Sequence, residues 1–132
     1  MTLQEEARDQ PLRTALAPDA GVALGRQATI RFVEDDDEHE DGPVHAVMTG
    51  ELDLSCARVL TTTLCEAVEA HPTGLRLDLS AVTFCGCSTL RPLFTARFLA
   101  GTLGRTFTIG PYSSAVARIL ELSGSESLLH TP

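Results

Sequence analysis

Cys85, Cys87, Ser88 and Thr89 crowd into one short stretch, Leu77-Asp78-Leu79-Ser80-Ala81-Val82-Thr83-Phe84-Cys85-Gly86-Cys87-Ser88-Thr89-Leu90. Each carries a thiol or hydroxyl that can act as a nucleophile or take a phosphoryl group. The stretch reads as a strand, a tight turn and the start of a helix. Where a strand runs into a helix, the first backbone N–H groups have no partner inside the helix and carry the positive end of its dipole. Such a turn can host an anion, a phosphorylated side chain or a reactive thiol.

Each of these has an ordinary counterpart. Ser88 reads first as a helix N-cap, its hydroxyl accepting from the backbone two or three residues on, with phosphorylation as the alternative. Cys85 and Cys87 form a C-x-C pair, a poor zinc spacing, and the four histidines (His39, His45, His71, His130) are scattered along the chain. A thiol at a helix start can be activated, yet free cysteine is also a common small buried residue. Cys56 and Cys65 fall on a helix and read as packing residues. Asp53 and Asp78 could be an acid/base pair only with a pocket, a nucleophile and an electrophile stabiliser beside them. No Ser-His-Asp order, phosphate-cradling glycine loop or metal motif accompanies them, so Asp53 reads as a turn cap and Asp78 as a surface charge. No catalytic residue, metal or cofactor is expected.

The elements that must hold this turn follow from periodicity. Residues 1 to about 26 mix charges with Pro11, Pro18, Gly21 and Gly25 and keep no period, as expected of a flexible tail, leaving residues 27–132 as one domain. Residues 29–33 and 44–49 read as strands, the second with Val44, Ala46 and Met48 alternating with polar residues. Between them residues 34–43 form an acidic loop. A helix follows over about 56–70, with Ala57, Leu60, Leu64, Ala67 and Val68 at helical spacing and His71-Pro72-Thr73-Gly74 stopping it. Leu75, Leu77 and Leu79 alternate as a third strand. The next helix covers about 88–100, with Leu90, Phe94 and Phe98 in one row and Leu93 and Ala100 beside it. Phe107 and Ile109 mark a fourth strand. Ser113 opens a last helix with Val116, Ile119 and Leu120 inward and Gly124 as its stop. The order β-β-α-β-α-β-α predicts an α/β fold with a four-stranded, mixed, mostly parallel sheet. Clean alternation, rather than continuous apolar runs, places the helices mainly on one face.

Composition limits the rest. The chain has 132 residues and a net charge of -8, and the run Glu34-Asp35-Asp36-Asp37-Glu38-His39-Glu40-Asp41 holds seven of its acids, so the remainder is near -1. No basic stripe for nucleic acid is visible. The N-terminus lacks a basic segment followed by an apolar one, and no apolar run spans a bilayer, so a soluble, cytoplasmic protein with reduced thiols is expected.

Three blocks in this order resemble the STAS domain, the fold of bacterial anti-sigma factor antagonists. Gly50-Glu51-Leu52-Asp53 is similar to the family's G-E-L-D turn. Leu77-Asp78-Leu79-Ser80 with Val82-Thr83-Phe84 is similar to its L-D-L-S-x-V-x-F strand. Tyr112 to Gly124 resembles its last helix. The family's D-S-S-G-L block falls on Gly86-Cys87-Ser88-Thr89-Leu90, so its aspartate position is Gly86, its phosphorylated serine Cys87 and its glycine Thr89. The resemblance implies a non-enzymatic interaction domain. Its partner would be an anti-sigma factor that is also a serine kinase of the histidine-kinase-like ATPase class, and its action would be on sigma-factor-dependent transcription. It implies a partner-binding surface of Glu51, Asp53, Phe84, Gly86, Cys87, Ser88, Thr89 and Arg91. Phosphorylation adds about -1.5 to -2 charges to a closely docked surface and releases the partner. Cys87 cannot form that phosphoester, so weak or absent phosphorylation and a constitutive binder are expected, with Ser88 or Thr89 as substitute acceptors. Ser88 and Thr89 point elsewhere, about 100° per residue around a helical turn. A thiol-based redox regulator using Cys87 with Cys85 as its resolving partner, and a small-molecule-sensing STAS domain, are the alternatives.

Overall fold

The computed structural model describes residues 21–33 and 42–129. The acidic run at 34–41, most of the N-terminal stretch (residues 1–20) and residues 130–132 lie outside the described residues. Strands β1 (Val22–Ala23), β2 (Ala28–Val33), β3 (Val44–Leu52), β4 (Leu75–Cys85) and β5 (Phe107–Tyr112) form one sheet in that order. The first two pairings are antiparallel, and β3–β4 and β4–β5 are parallel. Helices α1 (Ala57–Ala70) and α2 (Leu90–Thr102) make the two parallel crossovers, and α3 (Ser114–Ser123) follows β5. Both crossovers step one strand in the same direction. With right-handed connections, α1 and α2 therefore fall on the same face. Ala28, Ile30 and Phe32 on β2, Val44, Ala46 and Met48 on β3, and Leu75, Leu77 and Leu79 on β4 are buried, and their alternates are exposed or half-buried.

The sheet has five strands, which corrects the expected four. The missed strand is Val22–Ala23, inside the stretch whose sequence has no period. Two residues cannot display one. Register gives it away: Val22 faces Ile30 and Ala23 faces Thr29. The N–H of Leu24 closes the turn onto the Ala28 carbonyl at 2.9 Å, and the Leu24 side chain is fully buried. Burying a leucine side chain contributes about 1.5–3 kcal/mol, which fastens this short strand to the sheet.

β4 is longer than the sequence suggests. It continues to Cys85 through an irregularity after Asp78, where the pairing with β3 slips between Val47–Asp78 and Thr49–Ala81. Asp78 Oδ1 accepts from the Ser80 N–H at 2.9 Å and the Ser80 hydroxyl at 2.6 Å. A backbone donor at the irregularity is thus satisfied by a side chain. Beyond it, Val82 and Cys85 are buried while Thr83 and Phe84 face outward.

α2 also departs from expectation. Its start is a 3-10 turn, Cys87–Thr89, and the α-helix proper begins at Leu90. The row Leu90, Phe94, Phe98 is not its core face: Leu93, Ala96 and Ala100 are buried, and Phe98 is 75% exposed. Two alanines on the inner side let α2 approach its neighbours closely, so the bulkier aromatic row turns outward. α3 begins as expected, with Ser113 Oγ accepting from the Val116 N–H at 3.3 Å, and ends at Gly124, whose φ of 70° is the left-handed C-terminal stop.

Candidate functional site

Because β3 and β4 are parallel, both end at the same edge of the sheet, and their connections to α1 and α2 meet there. Leu52 pairs with Cys85, and Glu51 with Phe84. The carbonyl of Leu52 ties the two connections together, accepting from the Gly86 N–H at 2.9 Å and the Thr89 hydroxyl at 3.3 Å. The Thr89 N–H closes the 3-10 turn onto the Gly86 carbonyl at 3.0 Å.

The first connection owes its shape to Gly50-Glu51-Leu52-Asp53. Gly50 has φ of 97°, and a Cβ there would run into the Gln27 carbonyl oxygen, which accepts from the Glu51 N–H at 2.9 Å. Only glycine combines that φ with so close a backbone. Asp53 caps the 3-10 turn Leu54–Cys56: its Oδ1 accepts from the Ser55 N–H at 3.0 Å and the Ser55 hydroxyl at 2.6 Å. The Ser55 hydroxyl, first among several hydrogen bonds, holds the Asp53 carboxyl below the usual carboxylate range. The Ser80 hydroxyl and N–H do the same for Asp78. Both aspartates thus occupy one local motif, Asp-Leu-Ser, with the carboxylate folded onto the serine two residues on. Asp78, expected as a surface charge, is half-buried and folded onto Ser80. The β1–β2 turn leans on this connection as well, since a Cβ on Gly25 would meet Cys56 Sγ at 2.9 Å and Ser55 Oγ at 3.0 Å.

The second connection presents a different chemistry. Gly86 is the residue before the 3-10 turn, with φ -86° and ψ 165°, an extended conformation open to any residue. No side chain caps the turn or α2, so Ser88 is not the N-cap its position suggested; it lies within the 3-10 turn, half-buried. Thr89 is 2% exposed and its hydroxyl is committed to Leu52. Cys87 is exposed, and so are Arg91, Glu51 and Asp53. Cys85 points into the core, and burial pushes its thiol pKa up. A resolving cysteine must meet its partner as a thiolate or be reached by one, and the buried, protonated Cys85 is poorly placed for either.

The expected partner-binding residues therefore share one edge, but not equally. Glu51, Asp53, Phe84, Cys87 and Arg91 are on the surface, Gly86 and Ser88 are half-buried, and Thr89 is a structural residue underneath. Large apolar side chains stand among them: Leu54 is 76% exposed and Phe84 51%. Leu54 escaped the sequence reading because it interrupts no period. The signal available was its position between the capping Asp53 and Ser55, which fixes it outward. Among the described residues no cluster of three or more His, Cys, Asp or Glu side chains could hold a metal ion. No described helix is long and apolar enough to cross a membrane.

Residues 37–130 match a family model described as "Mlab, STAS domain". Solved structures agree. An anti-sigma factor antagonist from Mycobacterium paratuberculosis is similar at a TM-score of 0.63 and 27% identity, over 86% of this chain and 86% of that one. The anti-sigma factor antagonist SpoIIAA in its unphosphorylated form is similar at a TM-score of 0.60 and 14% identity, over 76% of this chain and 85% of that one, a likeness of fold. A comparison with curated proteins gave no match.

Proposed function

The chain belongs to the STAS domain family, and from that premise we propose that it is an anti-sigma factor antagonist whose grip on its partner is not released by serine phosphorylation. STAS domains of this kind are regulatory and non-catalytic. The partner is an anti-sigma factor of the serine-kinase, histidine-kinase-like ATPase class, and the docking surface is the edge formed by Gly50–Asp53 and Phe84–Arg91. One observation carries this reading: Cys87, which the resemblance aligns with the family's phosphorylated serine, is solvent-facing at the strand–helix connection.

The neighbouring hydroxyls do not replace it well. Thr89 is buried and bonded to Leu52, so phosphorylating it would break the contact that joins the two connections. Ser88 is half-buried in the 3-10 turn. The exposed apolar side chains Leu54 and Phe84 suit a docking surface: a few well-packed, desolvated anchors carry most of the energy of such interfaces. Their exposure favours this reading over the redox one, which needs an accessible second thiol.

The test is to mix the purified chain with each histidine-kinase-like anti-sigma factor of its source cell and measure complex formation by calorimetry. A one-to-one complex with one of them, weakened by Phe84→Ala and Leu54→Ala, is expected. Failure to bind any of them would overturn the assignment.

A further inference from the structure

We propose that the groove between the end of β4 and α3 seats a segment of the partner protein in which a carboxylate stands next to an aliphatic side chain. This rests on the function proposed above and names the chemistry of one contact within it. The groove has a volume of about 540 Å³ and is lined by Thr83, Phe84, Gly86, Arg118, Ile119 and Leu122 among others. It opens directly beside Gly86, so it continues the edge described above on the side facing α3.

The lining divides into two chemistries. Phe84 and Leu122, 51% and 73% exposed, stand with Ile119 as an apolar surface. Side chains of this size left in water gain when another apolar group covers them. Arg118 supplies a charge, and no carboxylate lines the groove. Arg118 is exposed and forms no ion pair among the described residues, not even with Glu121 one turn further along α3. Among the described residues the guanidinium thus has no carboxylate partner at short range. Its planar donors match a carboxylate two-pronged, which selects an acidic side chain over a neutral amide.

Gly86 lines the groove beside Phe84. A Cβ there would stand 3.6 Å from the Phe84 ring, an ordinary contact distance. The partner's carboxylate meets Arg118 while its aliphatic neighbour covers Phe84 and Leu122.

The full-length chain, labelled with nitrogen-15, is titrated with two capped peptides, acetyl-Leu-Glu-Leu-Leu-amide and its Gln counterpart, and the amide signals are followed. The expected result is saturable shifts at Phe84, Gly86, Arg118 and Leu122. The Glu peptide binds about fivefold to tenfold more tightly, the scale of one charge-assisted contact. Arg118→Gln removes that preference, and Leu122→Ala weakens both peptides. Equal response to the two peptides, shifts elsewhere only, or a preference that survives Arg118→Gln overturns the inference. The same Arg118→Gln chain is then tested against the anti-sigma factor. Wild-type binding with an unaffected variant refutes the groove's role alone. Selective peptide binding in the groove by a wild-type chain that binds no anti-sigma factor supports the groove chemistry and refutes the functional assignment instead.

Discussion

Restoring the family's motif by Gly86→Asp with Cys87→Ser should give back a phosphorylation switch without disturbing the fold. Gly86 is extended, so a side chain meets no backbone strain, and a Cβ there would have its nearest neighbours at 3.6, 3.7 and 3.9 Å, ordinary contact distances. Removing the glycine's freedom in the unfolded chain stabilises by about 0.4–1 kcal/mol. Aspartate is better than glycine as an N-cap by a few tenths of a kcal/mol. Repulsion from the exposed Glu51 and Asp53 carboxylates opposes this only weakly in water, and Cys87→Ser on the surface changes about 0.5 kcal/mol or less. The net change lies within about 1 kcal/mol of zero by these magnitudes, readable by denaturant unfolding. Incubated with the partner kinase, Mg²⁺ and ATP, the double variant should gain one phosphate at position 87 by intact mass, and wild type none. A dianion forced into a closely docked surface costs several kcal/mol, so the phosphorylated variant should bind about a hundredfold or more weakly. A folded double variant that binds the partner yet takes no phosphate would refute the view that Gly86 and Cys87 alone removed the switch. Destabilisation beyond about 2 kcal/mol would refute the geometry assigned to Gly86.

Gly50→Ala should behave in the opposite way. Its positive φ and the Gln27 carbonyl at its Cα together cost about 2–5 kcal/mol, a fall in melting temperature of roughly 10 °C or more for a domain this size, measurable by calorimetry. The Asp78 carboxyl is held low by Ser80, so its contribution to stability is present above the ordinary carboxyl pKa near 3.9 and lost as pH falls through its lower folded value. Unfolding of wild type followed below about pH 4 should therefore steepen with acid more than that of Asp78→Asn. Native-state alkylation followed by peptide mapping should label the exposed Cys87 first, while Cys56 and Cys85, 1% and 8% exposed, react only on unfolding.

The helices and the middle strands were legible because each shows a full period: Leu60, Leu64 and Ala67 on α1, and Leu75, Leu77 and Leu79 on β4, are buried. What the sequence concealed lies where tertiary contacts replace periodicity. β1 is two residues long and exists through its pairing with β2. The end of β4 spaces its buried residues by three, Leu79, Val82, Cys85, because its pairing with β3 slips twice, after Asp78 and after Val82, so it shows no strand alternation. α2 turned its aromatic row outward because alanines fit better beneath. At the site, the residue types singled out one segment, but only coordinates separate the accessible Cys87 from the structural Thr89. The groove beside α3 joins residues 83–86 to residues 114–122, a proximity that no local pattern announces.

The most direct measurement is the dissociation rate of the preformed complex with the anti-sigma factor kinase before and after Mg²⁺ and ATP are added, with intact mass recorded on the released chain. An unchanged rate and an unmodified chain are expected. Accelerated release of a chain carrying a phosphate on Ser88 or Thr89 would contradict the account.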